Sequence, residues 1–451
     1  MEKKRSSFSG KLGFILAAAG SAVGLGNLWR FPYLAAKYGG GIFLLVYLIL
    51  AVTFGFTLMI AEVAIGRKTG LSAIGAFRKL NRKYSFVGYL ASLVPIIILP
   101  YYSVIGGWVI KYFSALISGQ LGAAAKDGYF ESFIGKTGEP VLCLAIFILI
   151  TAVVVFLGVE KGIEKVSKAL MPILVILTVG IAIYSVTLPG AIDGLIYYVK
   201  PNLKQFSLTT VVAAMGQLFY SMSLAMGIMI TYGSYMKKEV NLEQSVTQIE
   251  VFDTGIAFFA GMMIVPAVFV FNGGDGDAIN AGPGLMFVTL PKVFDSMPFG
   301  SVIGSLFFIL VLFAALTSAI SLMETIVSIV QDKLHWNRHL STIIVTLFAV
   351  AVALPSSLGF GKWSGIAPLG MSILDFFDFI SNSILMPIVA LLTCIFVGYV
   401  LKPKAVIEEV TLNSDFKREK LFTVTIKYIA PVCLIIILIS SILNALGIIT
   451  I

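Results

Sequence analysis

The sequence predicts an all-α polytopic membrane protein of 11 transmembrane helices, a 5+5 inverted repeat (spans 1–5 and 6–10) plus span 11. Three observations carry that prediction. Of the 451 residues, 58% are hydrophobic and only 12% are charged, whereas soluble domains carry roughly a quarter charged residues. Apolar stretches long enough to cross a bilayer recur along the chain. Two of them, spans 1 and 6, are interrupted at their centres by glycine and polar residues. Corresponding interruptions in two halves of a chain mark half-helices that meet at a shared site.

The spans are read at about 12–38, 42–66, 87–117, 140–157, 166–187, 208–236, 242–272, 299–332, 339–355, 370–400 and 421–447. They form a single domain, with repeat one over about 11–187, repeat two over about 208–400 and the appended span over about 421–447. The first residues, MEKKRSSFSGK, are basic, but the apolar segment after them is too long for a cleavable leader. Residues 272–298 are read as a capping helix pair, 189–204 as holding a short amphipathic piece around Ala191–Val199, and Gly75–Asn81 as a short basic surface helix.

Net charge is +9, but its distribution speaks for a membrane rather than for nucleic acid. With the N-terminus inside, 23 of the 32 Lys and Arg fall in cytoplasmic segments. That asymmetry is the positive-inside rule, and an odd span count then puts the C-terminus outside. Cys143, Cys394 and Cys433 each lie in an apolar span, which argues against a disulfide framework and a zinc site. The sequence carries no nucleophile elbow, Walker loop or metal cluster, so no enzyme is predicted.

Span 1 contains GSAVGLGNLWRFP at 20–32. Gly24 and Gly26 are poor helix formers at mid-span, and Asn27 and Arg30 are costly in hydrocarbon. A broken helix lining a polar cavity accounts for all four. Small-residue helix contacts at Gly20, Ala22 and Gly24 account for the small residues only. Span 6 repeats the pattern in GQLFYSMSLAMG at 216–227. A break at 22–26 frees the carbonyls of about 20–23 for a hard cation such as sodium. Thr317 and Ser318 in span 8 can close such an oxygen cage, or bond back to their own helix. The N–H groups at 24–26 point unpaired into the break and suit a carboxylate. Unwound carbonyls in span 6 suit an ammonium, so a zwitterionic amino acid matches both.

Together with the Tyr101–Tyr102 pair and AALTSAIS at 314–321, these motifs resemble the neurotransmitter:sodium symporter family, and its bacterial amino-acid branch in particular. The likeness runs from residue 5 to about 400. It implies sodium-coupled uptake of an amino acid by alternating access in a bacterial inner membrane, with two sodium ions. Ala22, Asn27, Ser221 and Asp253 match the first sodium site. Gly20, Val23, Ala314, Thr317 and Ser318 match the second. The substrate site takes in Ala22, Gly24, Leu25, Gly26, Ile98, Tyr102, Phe219, Tyr220, Ser221, Ser223, Met226, Ser318 and Leu322. An outer gate pairs Arg30 with Asp378, and an inner gate pairs Arg5 with Asp332 beside Ser234 and Tyr235.

The departures from the family pattern add three expectations. Phe8 stands where the family usually has Trp, which predicts looser packing near the inner gate. Met226 stands where the bacterial leucine transporter has Phe, and a flexible methionine leaves room for an aromatic substrate. Asp253 replaces a frequent Asn, and its fixed negative charge predicts chloride independence. Glu62 and Glu324 stay outside the first set of ligands.

Overall fold

The computed structural model describes residues 6–272 and 283–445. Within them the chain is helical, and a lone bridge between Gly40 and Pro201 is the only β pairing. Among the described residues nine helices are long and apolar enough to cross a membrane. They are Gly41–Thr69, Arg82–Ile117, Gly138–Leu157, Val159–Val186, Leu242–Phe271, Gly300–Leu334, Arg338–Leu358, Ile373–Val400 and Glu419–Asn444. Lys11–Ala22 and Gly26–Lys37 make a tenth if their 52° bend is counted within one span. The apolar helix Leu208–Ser221 stops short of a full crossing, and the chain resumes as Ile228–Ser234.

The helices overrun the apolar stretches at their charged ends. The span read from 166 starts at Val159, in a π-helical turn over Val159–Glu164 that carries Lys161. Long basic side chains lay their stems on apolar surface and keep the charge in water, so the helix continues past the apolar run. The short pieces read outside the spans are present as Ala73–Leu80 and Ala191–Val199. Of the capping pair, Leu285–Thr289 runs directly into Leu290–Ser296, and residues 273–282 lie outside the described set. Phe287 anchors this piece against Trp108, Tyr112 and Phe130, with ring centroids 5.1–5.8 Å away.

Both interruptions have a local cause. After Ala22 the backbone of Val23 turns extended, at φ −74° and ψ 98°. In the second, Ser223 (φ 53°) and Ala225 (φ 60°) are held left-handed, at about 1–2 kcal/mol each for a residue with a Cβ. Gly227 takes the same region at φ 69° without that cost. Two bonds hold the strained loop. The Ala225 N–H donates to Glu62 Oε1 at 2.8 Å, and the Ser223 hydroxyl donates to the Ser21 carbonyl at 3.0 Å.

Close helix contact places the second broken segment against Gly41–Thr69. A Cβ at Gly66 would sit 1.9 Å from the Ile230 carbonyl oxygen. Gly66→Ala is therefore expected to lower the thermal unfolding temperature of the purified protein, at a cost of about 1–3 kcal/mol for overpacking. Gly180→Ala, where an added Cβ meets nothing within 4 Å, is the control and is expected to leave it unchanged or raise it.

Candidate functional site

The first interruption brings Asn27 into a buried polar cluster with three other helices. The Asn27 Nδ2 donates to Asp253 Oδ1 at 2.8 Å, to the Asp253 carbonyl at 3.2 Å and to Ser221 Oγ at 3.0 Å. The Ser221 hydroxyl donates to Asp253 Oδ1 at 2.7 Å. Tyr47 OH approaches Asp253 Oδ2 at 3.3 Å. Asn27 and Asp253 are both 0% exposed, and every hydrogen-bond partner of this carboxylate is neutral. A buried carboxylate without counter-charge is costly. The oxygens gathered here, from carboxylate, hydroxyl and backbone carbonyl, fit a hard cation.

The Asn27 amide oxygen also accepts the Gly24 N–H at 3.1 Å. This corrects the expectation that residues 24–26 present three unpaired N–H groups. Gly24 is already used, which leaves Leu25 and Gly26 as candidate donors at the start of the second half-helix. Tyr102 OH is buried and has no hydrogen-bond partner among the described residues. A Cβ at Gly24 would lie 2.6 Å from Ser318 Oγ and 3.3 Å from Tyr102 OH, so only glycine leaves this corner open.

The corner belongs to a cavity whose walls include Ala22, Gly24, Leu25, Gly26, Ile98, Tyr102, Tyr220, Ser221, Ser223, Met226, Ser318 and Leu322. Phe219 does not line it. Its ring packs on Phe54, with centroids 5.1 Å apart. Ser21 and Ile228 do line it, and neither was expected. The Ser21 carbonyl accepts hydroxyl hydrogens from both Ser223, at 3.0 Å, and Ser318, at 3.1 Å.

The second oxygen set is assembled in part. The helices Lys11–Ala22 and Gly300–Leu334 close on each other where a Cβ at Gly20 would lie 3.3 Å from Thr317 Cβ. Val23 and Ala314 are wholly buried. The Thr317 hydroxyl bonds back to the Phe313 and Ala314 carbonyls, at 3.0 and 3.1 Å.

At one end of the cavity, Arg30 stacks 5.5 Å from the centroid of the Tyr220 ring. Arg30 and Asp378 are not ion-paired. Asp378 Oδ1 instead accepts from Tyr101 OH at 3.1 Å and Asn382 Nδ2 at 2.6 Å. At the other end, Asp332 accepts the Ser72 N–H at 2.7 Å, and Arg5 lies outside the described residues. Tyr235 OH donates to Glu324 Oε1 at 2.7 Å, and Arg338 pairs with the same carboxylate. Ser234 bonds back to the Thr231 carbonyl. Phe8 corrects the expectation of loose packing. It is 1% exposed, and the rings of Phe14, Tyr232 and Tyr235 stand 5.6–6.0 Å from it.

Tyr47 escaped the sequence reading. It sits in an apolar run where an aromatic reads as core. The Ser21 carbonyl belongs to the freed set expected over about 20–23, and the structure gives it the Ser223 and Ser318 hydroxyls as donors.

Broken helices around a buried oxygen cluster and a small cavity define a multi-pass membrane transporter of small solutes, not an enzyme. The chain belongs to the sodium:neurotransmitter symporter family, whose profile matches residues 5–132 and 126–448. An uncharacterized sodium-dependent transporter of Haemophilus influenzae is 35% identical over 97% of this chain and 98% of its own length. The uncharacterized sodium-dependent transporter YhdH of Bacillus subtilis is 34% identical over 100% of this chain and 99% of its own. Among solved structures, MhsT in complex with L-phenylalanine superposes with a TM-score of 0.88 at 38% identity, covering 97% of this chain and 100% of that one. Sodium-dependent transport is thus the coarse function.

The cluster makes a prediction that needs no substrate. Asn27→Ala strips donors from Asp253 and is expected to destabilise the protein by about 1.5–3 kcal/mol. Asn27→Asp sets two carboxylates side by side. Its melting temperature is expected to fall below that of Asn27→Ala in potassium chloride and to recover in sodium chloride through cation binding. Equal melting in the two salts would count against a cation at this cluster.

Proposed function

We propose that this protein imports a hydrophobic amino acid, aromatic by preference, together with two sodium ions and without chloride, by alternating access. One observation supports this most: the Asp253 cluster, bonded only to neutral groups, and the unpartnered Tyr102 hydroxyl face the same break in helix 1. The first calls for a cation and the second for an acceptor. A substrate carboxylate between them satisfies both, and by ligating the sodium it makes each ligand favour the state that holds the other. Ala22, Asn27, Ser221 and Asp253 then form the first ion site. Gly20, Val23, Ala314, Thr317 and Ser318 form the second, with the Thr317 hydroxyl turning its lone pairs to the ion. Met226, in the cavity wall, is flexible enough to make room for an aromatic ring. That MhsT was solved with L-phenylalanine supports the substrate class.

The architecture in this reading is eleven spans in a 5+5 inverted repeat plus one, with the two broken spans as first members of each repeat. The N-terminus is cytoplasmic, the C-terminus extracytoplasmic, and the membrane is the bacterial inner membrane. Arg30 and Asp378 close the outer gate, and Arg5 and Asp332 close the inner one.

The energetics are sufficient. One charge crossing 100 mV is worth about 2.3 kcal/mol, and a tenfold sodium gradient adds about 1.4 kcal/mol per ion. Two ions supply roughly 7 kcal/mol, enough for up to about a 10⁵-fold gradient of a neutral solute.

Uptake into proteoliposomes tests the proposal. Labelled tyrosine, tryptophan or phenylalanine is expected to accumulate under an inward sodium gradient and not under a potassium control, with leucine taken up less well. A preference for leucine would overturn the aromatic reading, and sodium-independent uptake would overturn the symport. Replacing chloride by gluconate is expected to leave the rate unchanged, because Asp253 already supplies the negative charge. A steep loss in gluconate would show that it does not.

A further inference from the structure

We infer that Tyr101 and Asn382 are positioning residues for the outer gate. They hold the Asp378 carboxylate parked away from Arg30, so that the gate closes by exchange of partners. The inference rests on the reading of Arg30 and Asp378 as that gate. Its observation is independent: this carboxylate is not free while it is unpaired from Arg30. It accepts from Tyr101 OH at 3.1 Å and from Asn382 Nδ2 at 2.6 Å. Asn382 Nδ2 also lies 3.2 Å from Tyr101 OH, so the three groups form a closed triangle.

The surroundings make the triangle directional. Tyr101 is 1% exposed and sits in the helix Arg82–Ile117, next to the Tyr102 whose hydroxyl faces the cavity. Asp378 and Asn382 are one turn apart on the helix Ile373–Val400. The Asn382 amide oxygen is buried without a partner, so hydrogen bonding on the nitrogen side alone orients that amide. Arg30 meanwhile rests over Tyr220 and faces a second cavity whose wall includes Phe379 and Ser383 of the Asp378 helix.

Hydrogen bonds to a charged group are worth about 1.5–3 kcal/mol each. Closure forfeits part of that stabilisation when Asp378 turns to Arg30. The triangle therefore holds the gate open until bound substrate and ion favour closing. Without it the carboxylate would pair with Arg30 in the absence of cargo, and the pocket would be sealed empty. This also gives Tyr101 a role distinct from that of Tyr102.

The test reads the open gate directly, without substrate. Val212 lines the same cavity as Arg30. In a protein with Cys143, Cys394 and Cys433 changed to Ser, Val212→Cys is labelled by a methanethiosulfonate reagent and the rate is measured. Tyr101→Phe and Asn382→Ala are each expected to slow labelling at least about threefold. Tyr101→Phe is expected to lose its effect once Asp378→Asn is present, as coupled neighbours do in a double-mutant cycle. A change in folding alone would not show that cancellation. Arg30→Ala separates the two readings. It is expected to speed labelling if Arg30 closes the gate, and no change there would defeat the gate itself. If Arg30→Ala speeds labelling but Tyr101→Phe and Asn382→Ala do not slow it, the gate stands and the parking role falls.

Discussion

The structure depends on one electrostatic constraint: the carboxylate of Asp253 is wholly buried and bonded only to neutral groups. An ionised carboxylate in such a place is stable only when a cation completes it or dipoles converge on it. The chain brings dipoles from three other helices, through Asn27, Tyr47 and Ser221. To reach it, Asn27 must stand on a half-helix that begins after a break in the first apolar segment. The break is tolerated because it lines a cavity and its polar backbone finds partners there. Thus the glycines of the first break, the place of Ser221 at the end of the helix Leu208–Ser221 and the hydroxyl of Tyr47 follow from one need.

The two breaks are also tied to each other. The Ser21 carbonyl, freed at the end of the first half-helix, accepts from Ser223 in the second break and from Ser318 in the helix Gly300–Leu334. Three helices therefore meet on one oxygen. None of them shifts relative to the others without changing the satisfaction of that carbonyl in a low-dielectric setting, where an unmade bond is expensive. Glu62 plays the matching part on the far side by holding the Ala225 N–H.

Much of this was legible in the sequence, and the limits have physical causes. Crossing helices are legible because bilayer thickness sets a minimum apolar length, and nine of the expected segments stand close to where that length puts them. The first break is legible because Gly24, Gly26, Asn27 and Arg30 each oppose a plain apolar helix. Phe219, expected in the substrate site from the family resemblance, packs its ring on Phe54 here rather than lining the cavity. The left-handed Ser223 and Ala225 were not legible, since neither residue type prefers that region. Tyr47 looked like core because its one polar atom is set among apolar neighbours.

The two ends of the molecule illustrate why sequence proposes gate residues but not their partners in a given state. At the Phe8 end, Phe8, Phe14, Tyr232 and Tyr235 pack ring against ring, and Phe8 is bonded to Tyr235 through its N–H at 3.1 Å. Opening that end must expose several aromatic faces to water, at about 25 cal/mol for each Å² of apolar surface. At the Arg30 end the charged partners stand apart, each partly buried and each already engaged, Arg30 by a ring and Asp378 by a hydroxyl and an amide. Closing that end trades the hydroxyl and amide bonds of Asp378 for the Arg30 guanidinium, an exchange between polar partners that exposes no aromatic face. The asymmetry makes the Arg30 side the easier one to open in this conformation. In the proposed alternating-access reading, one end is shut by buried aromatic area and the other is poised by exchangeable polar partners.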